Sequence, residues 1–227
     1  MSAAIVFDLD GTLIDSVPDL AAAVNDMLAA QGAAELDLPT ITGFVGSGLP
    51  KLVERVINHC GMDMRQHGEI TRITLDNYMR APTKRTVLYP GVRDMLERFR
   101  TNGHALGICT NKPEDATHQV LNALDLSRFF AVVVGGDTLA QRKPDPSPLL
   151  HVFDRLGPGS RFYVGDSEVD AETAKRAEVP FALFTEGYRK SPISALPHHL
   201  AYADSSKLPD LIGDALNAAI SSPAKGH

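Results

Sequence analysis

The sequence predicts an α/β fold: a parallel β-sheet core with helices on both faces, broken once, after its first strand, by an all-helical insert. Three observations carry that expectation. From residue 105 onward, apolar runs of strand length alternate with helical segments, the pattern of parallel strands joined by crossover helices. An isolated apolar run at residues 4–7 stands far ahead of them and ends in a loop rich in carboxylates. Between residues 18 and 80 no strand-like alternation occurs, and helical spacing recurs instead.

Taken in order, residues 4–7 form a strand too short to assign by periodicity alone. Asp8-Leu9-Asp10-Gly11-Thr12 follows at once and reads as the loop that closes it. Residues 18–30 have helical spacing, with Leu20, Val24, Met27 and Leu28 on one side. Pro18 falls in the first turn, where its missing N–H does no harm. Residues 43–48 form a glycine-rich turn, and helices follow over 50–60 and 67–79. The polar stretch Ala81-Pro82-Thr83-Lys84-Arg85 is a hinge. The insert is thus residues 16–82, and the core is residues 1–15 and 83–227. In the core a helix opens at Pro90-Gly91, and strands are expected at 105–109, 131–134, 161–164 and 181–184. Helices are expected at 114–124, 146–156, 168–177 and 208–220, and the last seven residues should be loose.

Bulk properties narrow the function. A net charge of -6 leaves no broad basic surface, so nucleic acid is not an expected partner. Cys60 and Cys109 match no zinc or redox spacing, and Cys109 ends an apolar run as a buried strand residue would. The N-terminus lacks the basic-then-apolar plan of a signal peptide. Charges interrupt every apolar run well short of a membrane span, so no membrane contact and a cytoplasmic location are expected.

Active groups of parallel sheets collect at the carboxyl ends of strands. Asp8 and Asp10 follow the first strand, Thr110-Asn111 the second, and Asp166 a later one, with Asp170 one helical turn beyond it. Lys143-Pro144 lies in the loop after the 131–134 strand. Four carboxylates gathered in one pocket repel, and a hard divalent cation with oxygen ligands relieves that repulsion, which points to magnesium. Magnesium and Lys143 would let a phosphate dianion approach, and Thr110 and backbone N–H groups near Asn111 and Gly11 could bind its oxygens. The chemistry implied is phosphoryl transfer to a carboxylate, with a second acid handling the proton. Spacing does not say which aspartate does which. Asp15 is expected to pair locally or cap the next helix, Asp137 to serve its loop, and Gly135-Gly136 to be a tight connection.

Four motifs in this order resemble those of the haloacid-dehalogenase-like hydrolases: Asp8-Leu9-Asp10-Gly11-Thr12-Leu13, Thr110-Asn111-Lys112-Pro113, Lys143-Pro144 with Pro146, and Gly165-Asp166-Ser167 with Asp170. Within them the chain is similar to the bacterial phosphoglycolate phosphatases. The resemblance implies a Rossmann-like core and a helical cap formed by residues 16–82. It implies Asp8 as nucleophile and magnesium ligand, and Asp10 as acid/base that also lends the metal its carbonyl. It further implies Thr110 as phosphate-binding hydroxyl, Lys143 as the charge steadying nucleophile and phosphate, and Asp166 and Asp170 as the remaining metal-site acids. Residues 83–85, with Asp15 and Ser16, would be the hinge strands.

The cap loop Gly46-Ser47-Gly48, with Lys51 or Arg55, would meet the organic end of the substrate. The implied activity is magnesium-dependent hydrolysis of 2-phosphoglycolate to glycolate and phosphate by a monomer or homodimer. The alternatives are another small phosphorylated metabolite, or a sugar phosphate mutase of the same superfamily. Those mutases carry an arginine three residues after a cap-loop glycine; counted from Gly46 that position is Leu49, which weakens the mutase reading.

Overall fold

The computed structural model describes residues 2–221. Strand β1 (Ala3–Phe7) leads to a short strand β2 (Ile14–Asp15) and four helices, α1 (Val17–Ala30), α2 (Leu38–Thr42), α3 (Leu49–Cys60) and α4 (His67–Arg80). The chain returns through β3 (Val87–Leu88) to α5 (Val92–Thr101), β4 (Ala105–Cys109), α6 (Glu114–Ala123) and β5 (Val132–Val134). It then runs through α7 (Ser147–Leu156), β6 (Ser160–Gly165), α8 (Glu168–Ala177), β7 (Phe181–Phe184), β8 (Leu200–Tyr202) and α9 (Leu208–Ser221).

Six strands form one sheet in the order β5-β4-β1-β6-β7-β8, and every neighbouring pair is parallel. Strand β1 is buried throughout, and its side chains alternate between two separate cores. Ala3, Ile5 and Phe7 pack with Met95 and Phe99 of α5, Val120 of α6 and Ile212 of α9. Ala4 and Val6 pack with Val152 and Phe153 of α7 and Ala171 and Ala174 of α8. Helices therefore cover both faces, as the alternating pattern predicts.

Helices α1, α3 and α4 share a third apolar cluster. Leu20, Val24, Met27 and Leu28 are all buried in it, so the stripe read on α1 is an internal surface. Full burial of each such side chain contributes about 1.5–3 kcal/mol, enough in sum to hold short helices that are marginal alone.

Three elements differ from expectation. The hinge strands pair Ile14 with Leu88 and Asp15 with Val87, so the returning strand lies beyond residues 83–85. The reason is Asp19 of α1, whose buried carboxylate accepts hydrogen bonds from Arg85 N, Thr86 N and Thr86 Oγ1 and so commits that stretch to a clasp. The five-residue helix α2, capped by Asp37 accepting from Thr40 N, is too short to show a period. The three-residue edge strand β8 is too short for the same reason. The tail expected to be loose lies, from residue 222 on, outside the described residues.

Candidate active site

The chain leaves β1 toward β4 and β5 on one side and returns as β6, β7 and β8 on the other. Such a reversal opens a crevice at the carboxyl ends of the strands. Asp8 directly follows β1, Thr110 follows β4 and Asp166 follows β6, so three sequence-distant loops meet in that crevice. All three residues are buried.

Lys143 lies beneath them. Its Nζ is 3.0 Å from Asp8 Oδ1, 2.7 Å from Asp170 Oδ1 and 2.9 Å from the Tyr163 hydroxyl. Burial opposes a charge on this lysine, but the Asp170 and Asp8 carboxylates outweigh it and hold the ammonium protonated, above the usual lysine range. For Asp170 burial again works against the charge, and Lys143, with hydrogen bonds from Ser167 and Tyr163, overcomes it and lowers the pKa. Both Asp170 oxygens are engaged: Oδ1 by Lys143 and Tyr163, Oδ2 by Asp166 N, Ser167 N and Ser167 Oγ. The Ser167–Asp170 pair is also the capping box that starts α8, so the helix start itself fixes the carboxylate.

Asp8 and Asp166 are not so compensated. Burial is the largest influence on Asp8 and, with the Asp170 and Asp10 charges, pushes its pKa up to about 7 despite Lys143. Burial, then Asp170 and Asp8, raise Asp166 well above the carboxylate range. Asp8 Oδ1 is buried without a hydrogen bond, its approach to Lys143 lying outside hydrogen-bond geometry. Asp8, Asp166 and Asp170 each offer an oxygen, all within 4.8 Å of one another. Three carboxylates against one ammonium, with an orphaned oxygen among them, make a donor set that fits a hard divalent cation.

Asp166 is held by Thr12 Oγ1 at 2.9 Å and by Tyr188 N at 2.6 Å. Gly11, at φ 90°, lets the Asp8 loop pass against them: a Cβ there would collide with the Asp166 carboxylate and the Tyr188 ring. The N–H of Gly11 itself is donated to the Ile14 carbonyl at 2.9 Å, and the residue shapes the site sterically. Asp15 finds its partner far away, accepting from the Tyr188 hydroxyl at 2.7 Å. The same hydroxyl accepts from Ser16 N and Val17 N. Tyr188 therefore ties the Asp166 carboxylate to the start of the helical insert.

Asp10 points away from the carboxylate cluster. Its Oδ1 accepts from Ser16 Oγ at 2.6 Å, and Lys112 Nζ lies 3.0 and 3.2 Å from its two oxygens. Burial disfavours the Lys112 charge, but Asp10 and Tyr78 overcome it and raise the pKa. The ammonium also sits 4.4 Å from the centroid of the Tyr78 ring, contributed by α4.

A cavity of about 50 Å³ opens in front of these groups. Asp8, Asp10, Thr110, Asn111 and Lys112 line its floor, and Gly46, Gly48 and apolar residues of the insert its roof. Asn111 Nδ2 donates to the Lys143 carbonyl, which joins two of the loops. Ser47 does not line the cavity; its hydroxyl faces Arg55, whose guanidinium donates to the Phe44 carbonyl. Lys51 is likewise not brought to the cavity: it is half exposed and paired at 2.6 Å with Glu54, one turn along α3.

The 110–114 loop is held from behind by Gly136 N, which donates to the Lys112 carbonyl at 2.7 Å. A Cβ on Gly136 would collide with the Asn111 backbone, so this glycine permits a close approach of two loops. Asp137 accepts from Glu114 N at 2.7 Å and caps α6, the loop role expected of it.

Sequence reasoning missed Thr12, Lys112, Tyr163 and Tyr188 as site residues. Thr12 and Lys112 stand inside motifs already singled out, so proximity to the carboxylates could have found them. Tyr163 was a polar atom inside an apolar strand, a weaker signal. Nothing local marks Tyr188, whose partners lie 22 and 173 residues away.

The sheet order, the interrupted topology and the carboxylate–lysine cluster at the β1, β4 and β6 ends describe a hydrolase class, and residues 5–184 match the model of that class. The chain belongs to the haloacid dehalogenase-like hydrolases. It is similar to the phosphoglycolate phosphatase of Cereibacter sphaeroides, 45% identical over 210 residues, covering 92% of this chain and 96% of that protein. It is 41% identical to the phosphoglycolate phosphatase of Rhodobacter capsulatus, covering 93% of this chain and 97% of that one. The fold superposes with a TM-score of 0.87 on a crystal structure described as a predicted phosphoglycolate phosphatase from Haemophilus somnus, 27% identical, covering 92% and 97% of the two chains. Among the described residues no helix is long and apolar enough to cross a membrane.

Proposed function

We propose that the chain is a magnesium-dependent phosphomonoesterase that works through an aspartyl-phosphate on Asp8 and converts 2-phosphoglycolate to glycolate and phosphate. The observation that carries this reading is Asp8 itself: a buried carboxylate on the cavity floor, with one oxygen lacking a hydrogen bond and Lys143 3.0 Å away. The similarity to phosphoglycolate phosphatases over nearly the whole chain supports the substrate.

Asp8 and Asp166, with the Asp10 carbonyl and the Asp170 carboxylate beside them, would hold the magnesium. Bound there, it would supply the positive charge that lets a phosphate dianion lie against carboxylates. Lys143, held by Asp170 and Tyr163, keeps the attacking oxygen of Asp8 aimed and screens the transferred group. Asp8 attacks phosphorus, and the phosphorus–ester oxygen bond breaks. Asp10 gives its proton to the leaving alkoxide and then takes one from the water that attacks the aspartyl-phosphate. That water's oxygen bonds to phosphorus, the phosphorus–Asp8 bond breaks, and phosphate departs. Thr110 positions a phosphate oxygen. The roof formed by residues 16–82 excludes bulk water, which strengthens every charge interaction beneath it. The reading carries with it a cytoplasmic enzyme, monomeric or homodimeric.

The experiment is a panel of kcat/KM measurements with magnesium over 2-phosphoglycolate, 3-phosphoglycerate, pyridoxal phosphate, nucleoside monophosphates and β-glucose 1-phosphate, following phosphate release and isomeric products. A preference of about 100-fold for 2-phosphoglycolate, roughly 2.7 kcal/mol of discrimination, is expected. A flat profile would remove the substrate assignment. Isomerisation of the sugar phosphate without release would replace hydrolysis by mutase chemistry.

A further inference from the structure

Among the described residues Lys112 is the single cation on the cavity wall, and none of the steps above uses it. We propose that Lys112 reads a second negative charge on the substrate, at the end remote from the phosphate, and so selects small phosphate esters that carry a carboxylate. This rests on the phosphomonoesterase reading of the same site.

Its setting favours that role over a purely structural one. The Lys112 side chain is 4% exposed, so its ammonium is withdrawn from water and needs anionic partners. The carboxylate it has, Asp10, is shared with a second donor: Ser16 Oγ donates to its Oδ1 at 2.6 Å. An ammonium has three N–H donors and can hold Asp10 and a ligand oxygen together. The Tyr78 ring, its centroid 4.4 Å away, supports the charge. Much of the remaining wall is apolar, with Leu20, Val45, Leu49, Leu52 and Leu75, so an anion entering there meets little competing polarity.

The other nearby cations are committed elsewhere. Lys143 is enclosed by Asp8, Asp170 and Tyr163. Arg55 donates to the Phe44 carbonyl, and Lys190 to the Val45 carbonyl, and neither lines the cavity. Lys51 faces Glu54 in solvent. The reader of the substrate's organic end is therefore a core residue two positions after Thr110, and the insert supplies the walls around it.

The test compares kcat/KM for 2-phosphoglycolate with that for 2-hydroxyethyl phosphate, which replaces the carboxylate by a neutral hydroxymethyl group. Wild type is expected to prefer the carboxylate by about 10- to 100-fold, the range of one charge-assisted hydrogen bond. Lys112→Gln, which removes the charge and keeps a polar side chain, should bring the ratio close to one, mainly through KM for 2-phosphoglycolate. Lys112→Arg, which keeps the charge, should retain most of the preference. The proposal is overturned by an unchanged ratio in Lys112→Gln, by equal loss on both esters, which would assign Lys112 to the phosphate, to Asp10 or to the fold, or by a wild type that hydrolyses both esters alike. A wild type that hydrolyses neither ester would bring down the phosphomonoesterase reading itself, and this proposal with it.

Discussion

Asp8 and Asp170 face the same lysine and respond in opposite ways, and the difference lies in their other partners. Asp170 receives hydrogen bonds from Ser167 and Tyr163 as well as the Lys143 charge, so it stays ionised in a fully buried place. Asp8 has the charge but no such donors, and its proton is held up to about pH 7. Asp8→Asn should lower kcat by at least about 10³-fold, the scale of losing a nucleophile. Turnover within ten-fold of wild type in a pure preparation would exclude the assignment. Lys143→Met should cost about 3–5 kcal/mol in urea unfolding at pH 8, because it strands two buried carboxylates. Adding Asp170→Asn should recover part of that loss, since the two sites are coupled; simple additivity of the two losses would show that no shared ion pair exists.

Among the elements, the connection between core and insert is fastened by two side chains from opposite ends of the chain. Asp19 of α1 clasps the returning segment at Arg85 and Thr86. Tyr188, beyond β7, clasps the outgoing segment at Asp15, Ser16 and Val17 while its own N–H holds Asp166. Asp19→Ala should cost about 1–3 kcal/mol, the range for leaving buried donors unpaired. Amide exchange at Arg85 and Thr86 should accelerate while exchange in β1 changes little. Equal acceleration in both places would mean that the clasp supports the whole fold and not the connection.

Magnesium and pH should act together on the whole molecule. The folded-state pKa of Asp8 lies above its reference value, so the folded protein binds more protons than the unfolded one between about pH 4 and pH 7. Metal-free stability from this group therefore falls as pH rises through that window and levels off above it. Asp166, also raised, adds in the same direction. A divalent cation needs the ionised carboxylates, so its stabilising effect should grow as pH rises through about 7. The check is the shift in Tm on adding magnesium, expected to be larger at pH 8 than at pH 6. A shift independent of pH would place the binding away from Asp8. Removal by EDTA should abolish phosphatase activity, and magnesium should restore it.

Most of this arrangement could be read before any coordinates. Strands at 105–109, 161–164 and 181–184, and the helices of the core, announce themselves through runs and periods set by the geometry of the elements themselves. The motifs at the ends of the sheet strands and in the loop after the 131–134 strand named Asp8, Thr110, Lys143, Asp166 and Asp170, because a parallel sheet gathers its strand ends in one place whatever the loops contain. Other features depended on the partner each group meets in the folded chain. The hinge strand slipped past residues 83–85 because Asp19 claims the backbone there. Lys51 turned outward to Glu54 because α3 directs that face to solvent, and Gly11 spent its N–H on Ile14. Lys112 became the cavity's cation only once α4 brought Tyr78 over it and the β5 loop pressed Gly136 against its carbonyl. Local sequence specifies where an element begins and what chemistry it carries to its end. Which of those groups meet, and which are already satisfied by a neighbour, is decided by how the folded elements pack, as where Asp19 meets Arg85 across 66 positions, and no local pattern records that.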